Sequence, residues 1–181
     1  DNQLQKPIGG LRLPVPLAEQ YHDMRYKKLI DLIDKPQWSG TAPNGEPFVK
    51  QAEDTLIPDL ISIVNVDGHC QFIIFDAKYY NIQLEHNKKL RGQPGIESIT
   101  KQYLYQLVYQ PFVDAHQIGT VKNCFLMPTE MSEIIEKGSV SLAMMKRLGL
   151  EDIQVRLLPA KTVFTHYLKN TKLDIQDLNL R

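Results

Sequence analysis

The chain has 181 residues, 43% hydrophobic and 23% charged, which is enough for one domain with a sizeable core and argues against long disorder. Lysine plus arginine equals aspartate plus glutamate at 21 each, so no overall basic excess announces a nucleic-acid partner, although HNKKLR (86–91) and Lys27–Lys28 are local basic patches. No apolar run is long enough to span a bilayer and no signal peptide opens the chain, so a cytoplasmic protein is expected; a start at Asp1 rather than Met suggests a piece of something longer. Cys70 and Cys124 lack zinc-site spacing and read as core or edge thiols in a reducing compartment.

In chain order, residues 1–16 hold three prolines and two adjacent glycines without periodicity, and read as an irregular arm. Tyr21, Met24, Leu29, Ile30 and Ile33 recur at helical steps, so a helix is expected over Leu17–Lys35, ended by Pro36. SGTAPNGEP (39–47) reads as loop and Phe48–Gln51 as a short strand. Leu56–Val66 and Gln71–Tyr80 read as two strands of a hairpin turning at Asp67–Gly68. A polar connection follows, then a helix from about Ile96 to Gln110, capped by Gly95 or Ser98 and stopped before Pro111. Residues 120–127 read as a buried strand. After a mixed region come a helix near 142–147, a strand near 153–158 and a helix over 161–170. The order is helix, three strands, helix, strand and C-terminal additions, giving an α/β fold with a mixed sheet flanked by helices.

The chemistry concentrates at the end of the second hairpin strand, in FIIFDAKYYNI (72–82). Strand alternation sends Asp76 and Lys78 to one face. Pro58 places Asp59 near the start of the partner strand, where no ladder donor is needed. A hairpin turning at Asp67–Gly68 then sets Asp59 across from Asp76. Two facing carboxylates repel unless a cation lies between them, and a hard divalent ion such as Mg2+ is the natural occupant, with the Ala77 carbonyl as a further ligand. Lys78 on the same face would orient or deprotonate a water, or stabilise charge developing on a phosphate. The competing interpretation is an ordinary Asp76–Lys78 salt bridge at a sheet rim. On the following helix Gln102 and Gln106 share a face, as do Tyr105 and Tyr109.

IPD, a spacer and then DAK resembles the PD-(D/E)XK nuclease signature. The longer run FDAKYYNIQLEHNKKLRGQPGIESITKQYLYQLVY (75–109) is similar to the LlaJI family of restriction endonucleases, and the likeness extends from about Trp38 to Phe125. The resemblance implies a PD-(D/E)XK core of order α-β-β-β-α-β over residues 17–181. Asp59 and Asp76 would hold Mg2+ (or Mn2+ in its place), Lys78 would assist the attacking water, and Gln106 would orient that water or the metal ligands. It implies cleavage of double-stranded DNA within a restriction–modification system, leaving 5′-phosphate ends, by a homodimer or with a partner subunit. Glu19 and Glu53 are ancillary acids on the same basis, with Gln102 a weaker counterpart of Gln106; Glu19, Glu53 and Asp54 read first as surface charges. Lys88, Lys89 and Arg91 in the 81–95 loop, and Lys101 on the helix, are the expected phosphate contacts. His86 in the same connection is a further DNA-contact candidate. Of Tyr79 and Tyr80, one is expected to pack and the other to face the substrate. Two alternatives stay open: a repair or junction-resolving nuclease on the same core, and a non-cleaving module that keeps the fold for DNA or partner binding.

Overall fold

The protein is described by a computed structural model that covers residues 6–7, 29–66 and 68–181. Most of the expected first helix, Glu19 with it, and Asp67 of the hairpin turn lie outside these residues. The helical signal survives where it can be followed, as a single 3-10 turn over Leu29–Leu32.

Among the described residues the strands are β1 (Lys6–Pro7), β2 (Gln37–Thr41), β3 (Pro47–Gln51), β4 (Leu60–Val66), β5 (His69–Ala77), β6 (Thr120–Thr129), β7 (Ile135–Val140) and β8 (Ile153–Pro159). Among the described residues the α-helices are α1 (Ile96–Ala115), α2 (Ala143–Lys146) and α3 (Ala160–Leu168). Six strands form one mixed sheet in the order β1-β4-β5-β6-β8-β7, and β2 and β3 form a separate two-stranded ribbon. The β4–β5 and β7–β8 pairs are antiparallel, whereas β5, β6 and β8 run parallel. Parallel neighbours need a long crossover, and α1 supplies it between β5 and β6.

Burial follows the two-residue period of the strands. Ile61 and Ile63 on β4, and Phe72 and Ile74 on β5, pack with Tyr105, Tyr109, Phe112 and Val113 of α1. Val64, Ile73, Phe75 and Cys124 point the other way, against Ile175 and Leu178 near the C-terminus. Buried Arg156 holds that C-terminal segment down, donating from Nε to the Leu178 carbonyl at 2.6 Å and from Nη2 to the Asn179 carbonyl at 2.7 Å.

Several expectations are corrected. Ser39–Thr41, expected as the start of a loop, belongs to the strand Gln37–Thr41, and Phe48–Gln51 belongs to the ribbon instead of the central sheet; the turn residues of this stretch are confined to 42–46. The hairpin strands are shorter than the apolar run suggested, beginning at Leu60 and ending at Ala77. The helix runs through Pro111 to Ala115, because Phe112 and Val113 bury against the sheet. Two such burials contribute about 1.5–3 kcal/mol each. A helix-interior proline costs about 3 kcal/mol, so packing wins. Gly95 is the N-cap and Ser98 is not. The mixed region contains β7, whose ladder is interrupted by an irregularity between Glu136 and Gly138 that hides its alternation. Lys6–Pro7, inside the expected irregular arm, pair with Ile61 and Leu60 at the sheet edge, the place where a proline's missing N–H costs nothing.

Candidate active site at the rim of the hairpin

The observed register pairs Leu60 with Phe75 and Ile61 with Ile74, so the next rung sets Asp59 against Asp76. Alternation puts Ile61 and Ile63 on the α1 side of the sheet, together with Phe72, Ile74 and Asp76, and the carboxylate of Asp59, just ahead of β4, lies beside that of Asp76. The two aspartates therefore sit at the rim of the face that α1 covers. Asp59 Oδ2 accepts a 2.8 Å hydrogen bond from the Ala77 backbone N–H, which fixes its loop to the end of β5. Lys78 extends the ladder past the last strand residue, its N–H donating to the Leu126 carbonyl at 2.8 Å. Its ammonium lies 2.5 Å from Asp76 Oδ2.

Asp76 is 7% exposed, whereas Asp59 is open to solvent. Burial pushes the Asp76 carboxyl above its ordinary range, the Lys78 ammonium pulls it back, and the charge of Asp59 beside it pushes it up again. Tyr105 feels the same pair: burial, then the negative charges of Asp76 and Asp59, raise its phenol. Its hydroxyl donates to the Ile57 carbonyl at 2.8 Å, pinning the segment that leads into Pro58–Asp59.

The glutamine face of α1 meets the sheet through a residue that periodicity did not single out. Asn123 of β6, fully buried, donates from Nδ2 to Gln106 Oε1 at 2.6 Å. Gln102 Nε2 donates to the Ile74 carbonyl at 3.0 Å and lies 3.3 Å from Asn123 Oδ1. Gln102 is thus committed to joining helix and sheet. Gln106, likewise buried, is held through its oxygen by Asn123. The available signal was a lone asparagine in the otherwise apolar run after Lys122; Tyr105, one helical turn beyond Gln102, had a similarly weak one.

The remaining predicted residues are spread more widely. Lys88, Lys89, Arg91 and Lys101 are exposed, as is Glu53. Lys88 pairs with Glu85 at 2.7 Å. The 81–95 connection is closed by a 2.9 Å bond from the Gln83 N–H to the Arg91 carbonyl. Tyr79 is 92% exposed and Tyr80 39%, so neither packs into the core; strand alternation stops applying once β5 ends at Ala77. A cavity of about 770 Å³ lies elsewhere, among Lys122, Glu136, Gln154, Arg156 and Arg181, and includes none of the rim residues.

The chemistry of the rim is that of a small, hard-oxygen cluster with one cation. Among the described residues no three acidic, histidine or cysteine side chains converge on a metal position. The oxygen donors at the rim are two carboxylates and the Ala77 carbonyl, a set that suits an ion keeping several waters and taking its other ligands from phosphate.

A family model for LlaJI restriction endonucleases matches residues 19–163. The chain is also 33% identical over 151 residues to the type II restriction enzyme BsuMI component YdjA of Bacillus subtilis (strain 168). That match takes in 82% of this chain but 30% of the relative, so the chain spans less than a third of that protein's length. With the family match extending over the hairpin, the helix and the strands that follow, the chain belongs to the LlaJI restriction endonuclease family.

Proposed function

We propose that the chain carries the PD-(D/E)XK site of a Mg2+-dependent endonuclease that hydrolyses double-stranded DNA as part of a restriction–modification system. The observation that carries this reading is the placing of Asp59, Asp76 and Lys78 at one rim, with a carboxylate pair whose repulsion only part of the surroundings offsets. Family membership and the relative's description as a restriction enzyme component supply the substrate class.

Asp59, Asp76 and the Ala77 carbonyl would hold Mg2+, and Mn2+ has the same preference for oxygen. Once bound, the ion supplies Lewis-acid neutralisation of the charge on the scissile phosphate. Lys78 presents its ammonium beside Asp76, where it can donate to a phosphate oxygen or to the attacking water. Gln106, held through its oxygen by Asn123, would use its Nε2 donor to orient the water or the metal ligands. Lys88, Lys89 and Arg91 hold the duplex through its phosphates. Cutting both strands takes two such sites or a second subunit, and the word component in the relative's name favours a partner subunit.

The test is plasmid nicking by the wild type with Mg2+ or Mn2+, with EDTA, and by Asp76→Ala. Divalent-dependent cleavage, lost in the variant while its circular dichroism stays that of the wild type, supports the reading. Failure of the wild type to cleave any DNA, alone or with its partner subunit, over several salts and metals, overturns it in favour of a non-cleaving module. A strong preference for branched over linear duplex would move the substrate to junctions.

A further inference from the structure

The β2–β3 ribbon stands outside the central sheet and has both of its faces in solvent. An isolated two-stranded hairpin is marginally stable in water, so a free-standing one needs either internal stiffening or a partner. One face stiffens itself. Trp38 lies across from Lys50 and Gly40 across from Phe48. The Phe48 ring lies over Gly40, so closely that a Cβ there would fall 2.8 Å from it, and Lys50 Nζ sits 5.7 Å from the centre of that ring. Glycine at position 40 is what lets the aromatic ring close over the opposite strand.

The other face carries Gln37 opposite Gln51, Ser39 opposite Val49, and Thr41 opposite Pro47. It holds no carboxylate and no cation. Its amides, hydroxyls and one branched apolar group are the types that pair with adenine edges, reach either base and touch the thymine methyl. A two-stranded ribbon has the width that the major groove admits. Lys35, exposed just ahead of β2, suits a phosphate beside the groove.

Its position ties it to the rim site. The Ala52 N–H donates to the Pro36 carbonyl at 2.8 Å, and Thr55 Oγ1 donates to the Asp34 carbonyl at 2.7 Å, closing the base of the ribbon. From there the chain passes Ile57, held by Tyr105, and arrives at Asp59. The ribbon and the first carboxylate are thus two ends of one pinned segment. We propose that the β2–β3 ribbon is a sequence-reading element that enters the major groove of the DNA substrate with its Gln37, Ser39, Thr41, Val49 and Gln51 face. This rests on DNA being the substrate, and it adds where the bases are read.

The experiment is selection from a library of DNA duplexes with a randomised core, in EDTA so that nothing is cut, followed by sequencing of the bound fraction. The proteins are the wild type and Gln37→Ala/Gln51→Ala. Equal amide-exchange protection across the β2–β3 ladder in the two proteins certifies that the ribbon is still folded. The wild type is expected to enrich a short sequence, and the variant to lose enrichment about tenfold at one or more positions of it. The same enrichment by both proteins, or none by the wild type, overturns the proposal. Unaltered DNA selection together with loss of self-association in the variant overturns it too, and makes the ribbon a protein interface. Because binding is read without cleavage, a chain that selects DNA but never cuts it would sink the endonuclease reading and leave the ribbon's role standing.

Discussion

The Ala77 N–H donates to Asp59 Oδ2, so the residue between the two charged groups of the DAK run is also the anchor of the opposite carboxylate. The bond has an energetic and a chemical side, and the two separate on mutation. Asp59→Ala should lose the bond and about 1 kcal/mol of stability, along with DNA cleavage. Asp76→Asn should abolish cleavage with stability within about 1 kcal/mol of the wild type, since it removes a buried carboxylate that is already disfavoured by burial and by Asp59. Urea denaturation and plasmid nicking on the two variants check both statements. Cleavage surviving in either would remove that carboxylate from the site.

Asn123 joins two glutamines of α1 to the sheet, with no water-facing atom to share the load. Replacing it with alanine leaves Gln102 and Gln106 short of a partner in a buried place. A loss of about 2–4 kcal/mol is expected. The readout is a chemical denaturation midpoint, and a double-mutant cycle with Gln106→Ala should show strong non-additivity. Additive losses would mean that the two side chains do not act as a unit.

Gly92 has a positive φ of 61°, and a Cβ there would fall 2.1 Å from the Asn81 carbonyl oxygen. Backbone atoms cannot retreat as a side-chain tip can, so Gly92→Ala must open the 81–95 connection at its Gln83–Arg91 closure. Amide exchange over this loop should speed up while the central strands keep their protection. If Lys88, Lys89 and Arg91 hold phosphates from this loop, DNA affinity falls in parallel. Unchanged exchange would show that the loop accommodates the methyl group.

Burial pushes the Cys124 thiol up from its ordinary 9.0 to about 12. Between those values the folded protein keeps a proton that the unfolded chain gives up, so this group makes stability fall as pH rises through that window. A thiol reagent at mildly alkaline pH should modify Cys70, which is partly exposed, well before Cys124, and reach Cys124 only on unfolding. Equal rates for the two cysteines would contradict the burial of β6.

The closeness of Asp59, Asp76 and Lys78 was legible in the sequence because hairpin pairing is local. A period of two and a tight turn fix which residues face each other, and the register observed for β4 and β5 is the one that the turn demanded. The central strands and α1 were legible for a related reason: their apolar patterns are long and uninterrupted. What escaped was decided by contacts between distant segments. Pro111 is a stop signal on its own terms, and only the burial of Phe112 and Val113 overrides it. Gln37–Thr41 has the composition of a loop and becomes a strand because Pro47–Gln51 returns alongside it. Asn123 is unremarkable in its own strand, and acquires a role only when α1 lays Gln102 and Gln106 above it. Local sequence set the facing directions and the hairpin register, since these depend on backbone alternation alone. The tertiary structure decided which polar groups are buried together, because that depends on segments far apart in the chain closing on one another and excluding water between them.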